Sequence, residues 1–385
     1  MIDKKLLYLL DFDESWHGGI NYFVNQIIGL LDTSDIRIFV LANENVAKRI
    51  NSLLVKEQEK SIEDANVLGV KFISYPDESR WLHFFRSIFC LKRRDIARTV
   101  ETINPDVIVH MGGLSGIYRD VYQVAWIPDL QHIELPKNFT RFNKLKRTVG
   151  YFFLSLYSNK VMLSSKTQEN VFNNFFLNIF KGKTFVNRFR VRKVYERKSL
   201  EGELLCLSGK KIILFPSAFW VHKNHAIVVN LIKRKICEDC AFVFTGGSDD
   251  YRNLEYSKGI RKEISLMQDE YDVYFFSNIS NSKIAALLSN TRVLINPSYY
   301  EGWSTIVEEA KLYKVPTLLS NIPTHREQFS EYNCGQLFNP DDINDLEDKF
   351  KKCMTDALEV HCNEFDYKQV TNDSFQKLLK NYGIK

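Results

Sequence analysis

Short apolar runs separated by helix-length segments recur along the whole chain. In the first half they are LLYLLDF, RIFVLA, VKFISYP, DVIVHMG, YQVAWIP and KVMLSS; in the second, KIILFPS, CAFVFTGG, VYFFSN, RVLINPS and PTLLSN. Runs without polar alternation are strands buried on both faces, and their alternation with helices predicts parallel sheets covered on each side. The predicted fold class is therefore α/β, twice over. After the first run, Ile20, Phe23, Val24, Ile27 and Ile28 make the apolar stripe of an amphipathic helix. Between the two series, Phe185 to Lys210 is polar, basic and weakly patterned. This predicts the crossing between domains, with a boundary near Glu201. The expected division is a first domain over 1–200, a second over 201–365, and an end segment, 366–385. That segment closes on FQKLLKNYGIK, an amphipathic helix with the option of packing back on the first domain.

Composition agrees with two folded domains. The chain has 385 residues, too many for one ordinary core, and is 45% hydrophobic with 28 Phe and 18 Tyr, which excludes disorder. The first residues, MIDKKLLYLLDFDESW, meet acids too soon for a signal peptide or a spanning helix, so a cytoplasmic location is expected. Seven scattered cysteines fit reduced thiols better than a disulfide framework. The close pair Cys237 and Cys240 in KICEDCAFVF lacks the second pair a structural zinc site needs, and no metal is expected.

The net charge of +5 is mild but unevenly spread. KNFTRFNKLKR (Lys137 to Arg147) and KGKTFVNRFRVRKVYERK (Lys181 to Lys198) are strongly basic and contain aromatics. Such stretches suit a solvated surface, or contact with an anionic membrane or a phosphate-bearing substrate. No zinc finger, RNA-binding sheet motif or zipper accompanies them, so nucleic acid is not expected.

Ligands of doubly wound sheets bind beyond the carboxyl ends of the strands, and four such junctions carry candidate chemistry. After RVLINPS, the stretch YYEGWSTIVEEA reads as a turn at Gly302 and a helix from about Ser304, whose free N–H groups and dipole favour an anion. Ile306, Val307 and Ala310 form its apolar face and Glu308 points away, towards solvent. Glu309 lies on the flank beside Thr305, and Glu301 precedes the helix. Two acceptors bracketing an anion site suit a ligand rich in hydroxyls around a phosphate; acids merely complementing the helix dipole suit the same pattern. In KIILFPSAFWVHKNHAIVV the strand ends near Ser217, a helix begins near Asn224 or His225, and Lys223 stands before it. His222 and His225 are three apart without a nearby carboxylate, which favours cap or surface roles over metal. In LLYLLDFDESWHGGINYF, Gly18 and Gly19 open the first helix, either as a plain tight turn or as a close approach to a ligand. In VAWIPDLQHIELP, Asp129 and His132 follow the fifth run. A histidine there either donates to a sugar hydroxyl or is held by a backbone carbonyl.

Together these junctions resemble the family four glycosyltransferases, a retaining group with the GT-B fold, of bacterial surface-polysaccharide or O-antigen type. The residues that carry the resemblance are Glu301 and Glu309 of an E-x7-E element followed by Ala310, the segment FPSAFWVHKNH, and WIPDLQH. It covers nearly the whole chain. It implies two facing Rossmann-like domains with a cleft between them, the first binding acceptor and the second a nucleotide sugar. It also implies roles. Glu301 would contact the donor sugar and Glu309 both ribose hydroxyls. Backbone at Gly302, Trp303 and Ser304, with Thr305 and Ser217 beside it, would hold the diphosphate, and Lys223 would neutralise it. Gly18 and Gly19 would approach the diphosphate from the first domain. His132 would touch the transferred sugar, Asp129 would lie on the acceptor side, and Asn278 and Ile279 would meet the nucleobase. Many relatives carry an Arg four or five residues before the Lys, where this chain has Phe219 and Ala218. That charge would fall to His222 or to a basic residue elsewhere.

The resemblance implies a metal-independent hexosyl transfer from a nucleotide diphosphate sugar, the co-substrate in place of a cofactor, to a growing lipid-linked saccharide. It is compatible with peripheral contact at the inner face of the plasma membrane. A nucleotide-sugar epimerase or phosphorylase of the same fold, and a catalytically silent sugar-binding scaffold, remain the other readings.

Overall fold

The computed structural model describes residues 4–11, 17–33, 36–58, 70–75, 94–113, 116–191, 198–247, 249–250, 252–268, 270–277, 279–354 and 366–384. It divides into two compact units, one made of 1–193 with 368–385, the other of 194–367.

In the first unit the order is β1 (Lys4–Leu10), α1 (His17–Thr33), β2 (Ile36–Asn43), α2 (Glu44–Gln58), β3 (Val70–Tyr75), α3 (Arg94–Ile103), β4 (Val107–Met111), β5 (Tyr122–Ile127), α4 (Gln131–Glu134), α5 (Arg141–Tyr157), β6 (Lys160–Leu163), α6 (Lys166–Phe175) and β7 (Thr184–Val186). Its sheet runs β3-β2-β1-β4-β5-β6-β7, with every neighbouring pair parallel. All five residues of the stripe on α1 are buried.

The second unit contains β8 (Lys211–Pro216), α7 (His225–Lys233), β9 (Cys240–Thr245), α8 (Leu254–Met267), β10 (Val273–Phe276), α9 (Asn281–Ser289), β11 (Thr291–Asn296), α10 (Thr305–Tyr313), β12 (Thr317–Ser320), α11 (Pro323–Tyr332), β13 (Gly335–Phe338) and α12 (Ile343–Cys353). Its sheet is also parallel, in the order β10-β9-β8-β11-β12-β13. Successive residues of β8 enter opposite cores: Ile213 and Phe215 pack with α7, α8 and α12, whereas Ile212 and Leu214 pack with α9 and α10. This two-sided burial is why the runs read as continuous apolar stretches, each buried aliphatic residue contributing roughly 1.5–3 kcal/mol.

The last helix, α13 (Tyr367–Asn381), begins at the division and continues in the first unit. Gln26 Nε2 donates to Tyr382 Oη at 2.7 Å, and a Cβ on Gly29 would lie 2.1 Å from the ring of Phe375. Only glycine lets α13 approach α1 so closely.

The structure departs from the sequence reading at two places. The division falls at 193/194, a few residues before the expected boundary near Glu201, and the start of the presumed crossing forms β7, which pairs with β6. The close cysteines are oxidised: Cys237 and Cys240 form a disulfide, their Cα atoms 5.5 Å apart across the turn that leads into the first residue of β9, and Cys334 is disulfide-bonded too. Among the described residues Cys206 and Cys353 are free. No described helix is long and apolar enough to cross a membrane.

Candidate functional site

The chain runs β8, β9, β10 outward and then returns to the other side of β8 as β11. The loops after β8 and β11 therefore leave the sheet in opposite directions, and the space at their carboxyl ends is where an open α/β sheet receives a ligand. Tyr299 N donates to His222 O at 2.8 Å and ties the two loops together. Asn224 turns the first loop into α7 through a left-handed conformation (φ 53°), and its Nδ2 donates to Pro340 O at 3.0 Å. From the next strand, Gly246 brings its backbone so close to Ser217 O that a Cβ would sit 2.2 Å away. Ser217 N donates to Thr245 O at 2.9 Å.

These loops place Lys223 Nζ 2.6 Å from Glu301 Oε1, in a pair with side-chain exposures of 20% and 10%. Ser298 Oγ–H sits between Glu301 Oε1 at 2.8 Å and Asn296 Oδ1 at 2.7 Å. Asn296 Nδ2 donates to Ser304 Oγ at 2.9 Å and lies 3.4 Å from Glu301 Oε1. Among the described residues these contacts all fall on Oε1, leaving Oε2 as an acceptor. Burial alone would raise the Glu301 pKa. The Lys223 ammonium, then the charge of His325 and the hydrogen bond from Lys223, outweigh it and hold the group at about 2. The carboxylate is therefore ionised throughout the neutral range.

Ser304 caps α10 with extended backbone and no side-chain cap bond, and Gly302 and Thr305 beside it are partly exposed. The N–H groups of the first helical turn therefore face the end of the helix with its partial positive charge. Ser304 N, offered by the sequence to the diphosphate, donates instead to Gln328 Oε1 at 3.3 Å, while Gln328 Nε2 donates to Ser304 O at 2.9 Å. Trp303 is buried, with Lys311 Nζ 5.5 Å from its ring centroid. Glu309, one turn on from Thr305, is half-buried, and burial pushes its carboxyl up to about 7.

Glu308 does not face solvent. It is fully buried, accepts from Lys311 Nζ at 2.7 Å and from Gln328 Nε2 at 3.3 Å, and lies 3.3 Å from Tyr367 Oη. The wheel of α10 correctly placed it opposite the apolar stripe, but α11 and Tyr367 cover that face too. His222 does not bring the missing charge either. Burial, then the adjacent Lys223, holds its imidazole at about 3, so it is neutral. At the Phe219 position a cation arrives from α8: the Arg261 guanidinium lies 4.0 Å from the ring centroid, its Nε donating to Asp249 at 2.8 Å.

Ile279 is partly buried against the α9 face, and Asn278 lies outside the described residues. Four further candidates belong to the first unit. Gly18 and Gly19 are in the first turn of α1, the helix they were expected to open. Asp129 Oδ1 accepts from Gln131 N at 3.1 Å and from Arg147 Nη1 at 3.2 Å, so it orders the start of α4. His132 is buried edge-on to Tyr151, with neither ring nitrogen hydrogen-bonded, and burial followed by the charge of Arg147 keeps it at about 4.

Sequence reasoning missed Asn296, Ser298, Ser320, His325 and Gln328. Ser320 Oγ donates to Ser298 O and lies 2.9 Å from His325 Nδ1, so the end of β12 braces the loop that carries Glu301. The available signal was polar residues directly after buried strands, in NPS and LLSN; nothing in the pattern of α11 marks Gln328 as buried.

Residues 197–369 match the family described as Glycosyl transferases group 1. The chain is 26% identical over 172 residues to an uncharacterized 41.2 kDa protein in the cps region of Klebsiella pneumoniae, covering 41% of this chain and 44% of that protein. It is 26% identical over 131 residues to Glycosyltransferase 1 domain-containing protein 1 of Xenopus tropicalis, covering 32% and 38%. The chain thus matches less than half the length of these curated relatives. Among solved structures, Anabaena HepE in complex with UDP and glucose is similar with a TM-score of 0.68 at 14% identity, over 99% of both chains. The fold is accordingly similar to that of HepE, and the second unit is the part of the chain that matches the glycosyl transferases group 1 family.

Proposed function

We propose that the protein is a retaining glycosyltransferase that moves a hexose from a nucleotide diphosphate sugar to a growing, lipid-linked saccharide in surface-polysaccharide synthesis. The observation that carries this reading is the Lys223–Glu301 pair at 2.6 Å beside the amino end of α10, with the Glu309 carboxyl one turn further along. The group 1 match, the HepE structure with UDP and glucose, and the cps-region relative support it.

In this reading the diphosphate lies against the first turn of α10 and the Lys223 ammonium, which has donor capacity beyond its bond to Glu301. Glu301 Oε2 accepts a sugar hydroxyl, while Lys223, Ser298 and Asn296 fix the other oxygen. Glu309 takes the ribose hydroxyls. As the bond between the sugar carbon and the phosphate oxygen breaks, the acceptor hydroxyl adds from the same face, and its proton passes to the departing phosphate oxygen. Lys223 and the helix dipole then stabilise the leaving charge, an effect worth about 3–4 kcal/mol per well-placed donor. No step draws on a metal.

The test is release of nucleoside diphosphate from a panel of nucleotide sugars, with and without a saccharide acceptor. The reading predicts release that rises with acceptor and falls in Lys223→Ala at saturating donor. A donor sugar epimerised without release would favour the epimerase reading. Binding without any turnover would favour the scaffold.

A further inference from the structure

Helix α5 is apolar on the side that faces away from its core. Of its seventeen residues only Leu154 and Ser155 are fully buried. At about 100° per residue, Phe142, Leu145, Val149, Phe153 and Leu156 share a sector about 80° wide on the opposite side. Phe142, Leu145 and Leu156 are 49%, 63% and 42% exposed. Arg141 and Lys146 flank this stripe, one on each edge.

A second exposed element adjoins the same helix. Lys183 Nζ donates to the carbonyls of Leu156 and Ser158 at 2.9 and 2.8 Å, tying the turn after α6 to the end of α5. Phe152 packs against Phe176 and Phe180 of that turn, with ring centroids 6.1 and 5.6 Å apart. The turn exposes Phe175, Leu177 and Ile179. Leu177 is 81% exposed and held at φ 50°, a left-handed conformation uncommon for a branched side chain. Six of the ten exposed large hydrophobics among the described residues fall within 142–179, so the exposure is concentrated rather than scattered.

Charge identifies the occupant. Residues 137–183 hold nine Lys and Arg against a single acid, Glu169. A second copy of this face would bring like charges together, and a nucleic acid would leave the aliphatic Leu145, Leu156 and Leu177 without a partner. We infer that the outward face of α5 and the turn after α6 form a docking surface for an anionic lipid bilayer. The apolar stripe enters the headgroup boundary while Arg141, Lys146 and the neighbouring basic residues meet lipid phosphates. At seventeen residues with charged flanks, α5 lies in the interface rather than crossing it. This inference does not depend on the transferase reading.

The test is flotation of the full chain with vesicles of phosphatidylcholine alone and of phosphatidylcholine mixed with phosphatidylglycerol, at low and high salt. Wild type should float with the anionic vesicles only, less so at high salt. Arg141→Ala and Lys146→Ala should each lower partitioning about fivefold. Leu145→Asp and Leu177→Asp should lower it about tenfold or more. Arg141, Leu145 and Leu177 are exposed, so circular dichroism and the melting temperature should not change in those variants; if a leucine variant misfolds, the salt dependence and the Arg141 variant still decide. Three results overturn the inference: no flotation with anionic vesicles, flotation unaffected by the leucine variants, or a wild-type dimer that Leu145→Asp converts to a monomer without lipid affinity.

Discussion

Glu301 and Glu309 lie eight residues apart and titrate at opposite ends of the carboxyl range. Burial raises both, but only Glu301 has the Lys223 ammonium against it, so one stands at about 2 and the other at about 7. The raised value gives Glu309 a pH signature. Below its pKa the carboxyl is neutral; above it the carboxylate is the stronger acceptor for ribose hydroxyls. Nucleotide affinity should therefore rise as pH increases from about 6 to about 8. Stability of the unliganded protein should do the reverse: a folded pKa above the unfolded one costs stability as pH climbs from about 4.5 to about 7, after which the effect is constant. Titration calorimetry across this range on wild type and Glu309→Gln checks the claim, since the slope should vanish in the variant. A slope retained in Glu309→Gln would assign it to another group.

At the scale of elements, α10 is the helix whose reading from sequence was half right. Its start, its stripe and its two flanking acids were legible because a strand, a glycine and a 3.6 period mark them. The burial of Glu308 was not, because it depends on α11, which follows a further strand and supplies Gln328 and Glu331. Lys311 is fully buried between Glu308 at 2.7 Å and Glu331 at 3.0 Å. Removing the cation leaves a buried carboxylate uncompensated, so Lys311→Met should cost about 3–5 kcal/mol in urea unfolding with an unchanged slope. Adding Glu308→Gln should recover part of that loss. β7 and β13 escaped prediction for a related reason: they are three and four residues long, lie at sheet edges, and are ordered by their neighbours rather than by their own pattern.

Over the whole molecule, the chain passes from the first unit to the second at 193/194 and returns at 367/368. Both α/β sheets were readable from apolar runs alone, since two-sided burial leaves no polar alternation to misread. The return of α13 rests on one missing Cβ, which periodicity cannot reveal. Gly29→Val should force the Phe375 ring away from α1 and destabilise the first unit by about 1–3 kcal/mol, measured by thermal unfolding. A neutral result would mean that α13 shifts freely on α1.

In the proposed reading the second unit holds a nucleotide diphosphate between Lys223, the first turn of α10 and Glu309. Thermal unfolding with UDP, GDP, ADP and dTDP, each on wild type and Glu309→Ala, tests it most directly. At about 100 times Kd a bound nucleotide stabilises by about 2.7 kcal/mol, a shift of several degrees. Such a shift is expected for one base and should be lost in Glu309→Ala. No shift with any nucleotide, or an equal shift in the variant, would contradict it.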